Sequence, residues 1–165
     1  MRMDLIQPFI NSADAVLAQA MQSPISIENL SMEQEAYRRK GVAAEVCLTG
    51  EIEGRIIFDS DQGAAVQLAG RLAGVEAADT SEDLVREAVC ELANQIIGNA
   101  VTTLNDQGFH FRVHPPTQHT SEQGSKSSED TEALVLCFNT SSGNVFMNVA
   151  LRYLGREMEA AVAAG

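Results

Sequence analysis

Glu87, Glu91, Asn94 and Gly98 are spaced by four, three and four residues. On an α-helix that spacing stacks the four in one narrow stripe. Carboxylates at i and i+4 repel each other by roughly a few tenths of a kcal/mol, and no Lys or Arg stands at position 90, 94 or 95 to relieve this pair. A cation from outside the chain would relieve them, so the stripe is a candidate docking surface. Asn94 is a weak helix former, and Gly98 costs about 1 kcal/mol relative to Ala in a helix interior. A solvated helix face is the ordinary account of such a stripe. Unrelieved charge and two surrendered propensities argue for a further role.

The element that must carry these residues is the segment 82–105, EDLVREAVCELANQIIGNAVTTLN, the longest helix-period run in the chain. Leu84, Val85, Ala88, Val89, Leu92, Ala93, Ile96, Ile97, Ala100 and Leu104 form one apolar sector, which requires a core opposite the stripe. Asn99 projects onto the flank of that sector and is expected to be a buried structural amide tying the helix to a neighbour. Thr80 with Asp83 three residues on resembles a capping box, placing the helix start near Ser81.

The rest of the chain supplies a sheet and two further helices. Leu5, Ile6, Phe9, Ile10, Ala13, Val16, Leu17 and Met21 describe an amphipathic helix over residues 3–21, with Pro8 in its first turns and Pro24 beyond its end. Residues 25–37 read as short extended pieces. The β-branched runs 42–48 and 54–59 flank the turn-prone 49–51 as a hairpin. A short helix runs from about Asp61 to Ala73, with Gly74 placed to stop it. Alternation at Phe109, Phe111 and Val113 gives a strand over 109–113. Residues 132–138 and 144–151 form a second hairpin, and the tail 154–164 a short helix. Residues 114–131 contain no aliphatic side chain and are expected to be a mobile loop. This order implies one α+β domain spanning residues 1–165, with helices packed on an antiparallel sheet and one long active-site helix at about 81–105.

Composition excludes several functions. Eleven Lys and Arg against 23 Asp and Glu give a formal charge of -12, which opposes nucleic-acid binding. No apolar run is long enough to span a membrane, and the first twenty residues lack the apolar core of a signal peptide, so a cytoplasmic location is expected. Cys47, Cys90 and Cys137 are odd in number, far apart and set in apolar segments, which predicts buried reduced thiols. His110, His114 and His119 show no preorganised ligand spacing, so a metal site is not expected. No nucleophile elbow or phosphate-cradling glycine loop is present.

Glu91-x-x-Asn94 continues into Gly98-Asn99-Ala100 in CELANQIIGNA, and this resembles the signature helix of the CheX, CheC and FliY chemotaxis phosphatases, CheX most closely. The resemblance extends to helix one (PFINSADAVLAQAM), the hairpin through residues 48–58 and the helix at 61–74. It implies a phosphatase acting on the aspartyl phosphate of a CheY-like response regulator. The amide of Asn94 would enter the regulator's site and orient the attacking water, as a Gln does in GTPases. Glu91 would pair with the regulator's active-site lysine. No cofactor of its own is implied, Mg2+ being held by the regulator, and a homodimer through the sheet is implied as in CheX. Where CheC carries Asp or Ser four residues before the Glu, this chain has Glu87, which with Gly98 is left as a partner contact at the rim. CheC also repeats its motif on a second helix, whereas here no other Glu precedes an Asn by three residues. A non-catalytic module that binds a regulator or flagellar-switch protein through the same helix is the alternative, and a homodimer surface a third reading.

Overall fold

The helical periodicities become three helices in a computed structural model of the chain, which describes residues 2–33, 37–119 and 133–155. These are α1 (Met3–Met21), α2 (Gln62–Ala73) and α3 (Glu82–Asp106). The side chain of Asp61 caps α2 by accepting a 2.9 Å bond from the Ala64 N–H, and Gly74 ends it in the left-handed conformation. The cap of α3 differs from the expected capping box. Ser81 occupies the N-cap and accepts from the Leu84 N–H at 3.1 Å, whereas the Thr80 hydroxyl donates to the Ala77 carbonyl, closing the preceding short turn. Both hydroxyls are able to cap, although only Thr80 has an acid three residues on, and the turn before the helix decides between them.

Among the described residues seven strands form one antiparallel sheet: β1 (Ser26–Glu33), β2 (Val42–Gly50), β3 (Ile52–Ser60), β4 (Phe111–Val113), β5 (Thr117–His119), β6 (Ala133–Thr140) and β7 (Gly143–Tyr153). The order is β1-β6-β7-β3-β2-β4, with β5 also paired to β2. All three helices pack on one face of this sheet. The alternation of the strands shows why: Ala44, Val46 and Leu48 on β2, Ile52, Ile56 and Phe58 on β3, and Val145, Met147, Val149 and Leu151 on β7 point into one core with the apolar sectors of α1 and α3. The α+β architecture expected from the sequence is therefore the one observed. On the opposite face, the buried carboxylate of Asp59 gathers the Tyr37 hydroxyl at 2.6 Å and the Lys40 and Gly41 N–H groups at 2.6 and 2.9 Å.

The segment after α3 departs from expectation. The strand covers Phe111–Val113, and the expected loop contains a second short strand, Thr117–His119. Both pair with β2, Leu48 facing Val113 and Glu45 facing Thr117. They are one edge strand broken at Pro115 and Pro116, which lack the N–H a ladder needs. The remainder of that loop, residues 120–131, and most of the expected tail helix, residues 156–164, lie outside the described residues.

The sheet order also exposes an internal symmetry. Exchanging α1-β1-β2-β3 with α3-β4/β5-β6-β7 leaves the strand order unchanged, with β3 and β7 paired at the centre. The buried residues Leu5, Ile6, Phe9, Ile10, Ala13, Leu17 and Met21 of α1 then fall on Ala88, Val89, Leu92, Ala93, Ile96, Ala100 and Leu104 of α3.

Candidate functional site

The buried face of α3 fixes what its other face presents. Val85, Ala88, Val89, Leu92, Ala93, Ile96, Ile97, Ala100 and Leu104 are in the core, so Glu87, Glu91, Asn94 and Gly98 are all turned outward and exposed. Burial of that apolar sector stabilises the helix by tertiary packing, so the weak propensities of Asn94 and Gly98 are tolerated. The four stripe residues share one groove of about 680 Å³. Cys90, Ile97 and Val101 complete the helix wall, and the other wall is Val113, His114, Pro115 and Pro116, where the edge strand breaks.

Glu91 is not wholly without a polar neighbour, since the Gln95 side-chain amide donates to its carboxylate at 3.2 Å. A neutral amide does not cancel the charge, so the wall stays acidic. Arg86 on the adjacent face is committed to Glu82 and Asp83 at 3.3 and 3.0 Å. The space around Gly98 would admit a larger residue without a clash, because a Cβ there would meet nothing within 4 Å. Packing inside the chain therefore gives no reason for a glycine.

The opposite wall is set by the β2–β3 hairpin. Buried Glu51 accepts the His110 N–H at 2.8 Å, and its own N–H donates to the His110 carbonyl at 3.1 Å, which directs the chain leaving α3 onto the edge of β2. The His114 N–H then donates to the Cys47 carbonyl at 3.0 Å, and its imidazole Nε2 lies 3.1 Å from the Thr49 hydroxyl.

Two expectations change. Asn99 is exposed rather than a buried tie, because it falls just beyond the edge of the buried sector; it lines a separate cleft between α1 and α3. Only Cys137 is buried, while Cys47 is exposed on the open sheet face and Cys90 is partly buried in the groove wall. Burial pushes the Cys90 thiol above its ordinary range, so it is protonated at neutral pH. His114 is exposed and lines the candidate site, which nothing local marked: its place depends on pairing with β2. Among the described residues no three His, Cys, Asp or Glu side chains gather as a metal site.

The α1 wall of the cleft between α1 and α3 carries the symmetry counterparts of the stripe, while its other wall, Asn99, Thr103 and Gln107 of α3, has no equivalent in the groove. Asp4, Pro8, Asn11 and Ala15 stand where Glu87, Glu91, Asn94 and Gly98 stand on α3. Asn11 repeats the amide, but Pro8 stands where the Glu91 carboxylate would be, so α1 lacks the acid one turn before its amide.

Comparison with known proteins agrees with this arrangement. No curated protein sequence matches the chain. A CheX-family protein from Vibrio vulnificus has a similar crystal structure, with a TM-score of 0.78 at 19% identity over 90% of this chain and 99% of that one. A CheC-like protein from Shewanella sp. PV-4 gives a TM-score of 0.79 at 18% identity, over 92% and 99% of the two chains. The CheX–CheY–BeF3–Mg2+ complex from Borrelia burgdorferi matches at 32% identity with a TM-score of 0.73, over 92% of this chain and 99% of that one. The family model of chemotaxis phosphatase CheX matches residues 42–139, a span that holds the central hairpin, the whole of α3 and both walls of the groove. With the fold, the acid–amide helix and that match in agreement, the chain belongs to the CheX family of chemotaxis phosphatases.

Proposed function

We propose that this protein hydrolyses the aspartyl phosphate of a CheY-like receiver domain, with Asn94 orienting the attacking water and Glu91 docking the partner. The observation that carries this is the outward display of Glu91 and Asn94 on one groove wall, about 4.5 Å apart along the helix axis. Both side chains can therefore reach one small site. A carboxamide accepts and donates at once, so it can hold a water against the phosphorus without adding charge. The water oxygen forms the new bond to phosphorus, and the bond to the aspartyl oxygen breaks. The electron pair leaves with the aspartate carboxylate, and the products are inorganic phosphate and the unmodified receiver. Glu91 contributes a charge-assisted contact to a lysine of the receiver. Mg2+ belongs to the receiver in this scheme, and this chain contributes no cofactor of its own. Glu87 and Gly98 flank the two as rim contacts. A cytoplasmic homodimer formed through the sheet is part of the same proposal.

Replacing Asn94 by Ala tests it. Phosphate release from a phosphorylated receiver, measured with saturating protein, should fall by roughly 10²-fold or more, the scale of lost transition-state positioning. Undiminished release would sink the mechanism. Release that is absent from the wild type, with binding intact, would instead favour a non-catalytic receiver-binding module.

A further inference from the structure

The helix wall of the groove is occupied by side chains with an evident task; the opposite wall has had none assigned. Its four lining residues are Val113, His114, Pro115 and Pro116. Neither proline has an N–H, and the His114 N–H is already donated to the Cys47 carbonyl. Val113 is apolar and lies within the β4 pairing to Leu48. Any side-chain hydrogen bond from this wall to a docked partner must therefore come from His114.

His114 is also prepared for that use. Its side chain is exposed, and Nε2 is held by the Thr49 hydroxyl, which fixes the ring plane. Among the described residues Nδ1 makes no hydrogen bond, so one ring nitrogen remains available to a partner. Thr49 and Cys47 both belong to β2, so the wall is anchored in the sheet rather than in a free loop. A polar side chain whose rotamer is already restrained loses less entropy on binding than a free one.

We propose that His114 is a specificity-determining contact for the receiver domain, touching it from the wall opposite Glu91 and Asn94. This rests on the proposed function: a receiver that brings its phosphoryl group to Asn94 must enter between the two walls. The helix wall supplies carboxylates and an amide, while His114 supplies the one imidazole, so the two walls recognise different parts of the partner. Thr49 acts through His114 as a positioning residue.

The test uses the full chain and beryllofluoride-loaded receivers in the presence of Mg2+. His114→Ala should weaken binding by roughly tenfold, the effect of a central interface side chain, and should narrow the difference in affinity between a preferred and a disfavoured receiver. Thr49→Val, which removes the anchor and keeps the imidazole, should cause a smaller loss in the same direction. In phosphate release the defect of both variants should appear in KM and be overcome at saturation. Wild-type affinity and selectivity in His114→Ala overturns the proposal, as does a defect confined to the saturating rate. If Asn94→Ala abolishes release while His114→Ala binds normally, the hydrolytic reading stands and this one falls. If Asn94→Ala keeps full activity, the hydrolytic reading falls and His114 loses its role with it.

Discussion

The Ser12 hydroxyl, buried on α1, donates a 2.7 Å hydrogen bond to the main-chain carbonyl of Ile96, midway between Asn94 and Gly98 on α3. It ties the first helix directly to the turn that displays the site. Ser12→Ala removes the donor but leaves the Ile96 carbonyl its intrahelical partner. The expected loss is about 1 kcal/mol of stability, read by urea denaturation with unchanged slope. A loss near zero would show that the hydroxyl only fills space.

Charge reversal separates docking from chemistry. Glu91→Lys places a cation where a cation is meant to bind, so the complex with a beryllofluoride-loaded receiver should weaken by roughly 10²-fold or more, the cost of truncating or reversing a paired interfacial charge. The decline should steepen at low salt, where like charges are least screened. Calorimetry giving equal affinity for wild type and variant would argue against docking through Glu91.

Gly98 offers the opposite kind of test. A Cβ at this position meets nothing within 4 Å, so Gly98→Ala should raise the stability of the protein by about 1 kcal/mol through helix propensity and a less flexible unfolded chain. If a partner approaches the helix closely at this point, the same variant binds the receiver more weakly. A more stable protein with unimpaired binding would remove Gly98 from the rim.

Cys90 reports on the groove through pH. Because desolvation raises its thiol pKa, the reactive thiolate is scarcer at pH 7 than in a free cysteine. Alkylation followed by peptide-resolved mass spectrometry should be slow at pH 7 and climb about tenfold per pH unit to beyond the free-cysteine pKa of about 8.5. A docked receiver should protect the residue. A rate that levels off below pH 8 would contradict a half-buried, unassisted thiol.

Local pattern was enough for some of this protein and not for the rest. The sequence by itself determined α3 and its outward stripe, because an apolar sector recurring at helical spacing leaves Glu87, Glu91, Asn94 and Gly98 only one side to occupy. It determined α1, α2 and the β2–β3 hairpin for the same reason: each depends on residues a few positions apart. The identity of the reaction came from the resemblance of residues 91–100 to a known signature, since neither charge nor propensity names a phosphate. What only tertiary structure decided is everything that pairs distant segments. The 113–116 wall exists because β4 and β5 join β2 across more than sixty residues of chain and the two prolines break that ladder beside α3. The exposure of Asn99 and Cys47 follows from where the helix sector and the covered sheet face end, which depends on neighbours no local window contains. The twofold arrangement that sets Pro8 and Asn11 against Glu91 and Asn94 is likewise a property of strand order. A periodicity records which side of an element is apolar; only packing determines what that side, and the one opposite, will meet.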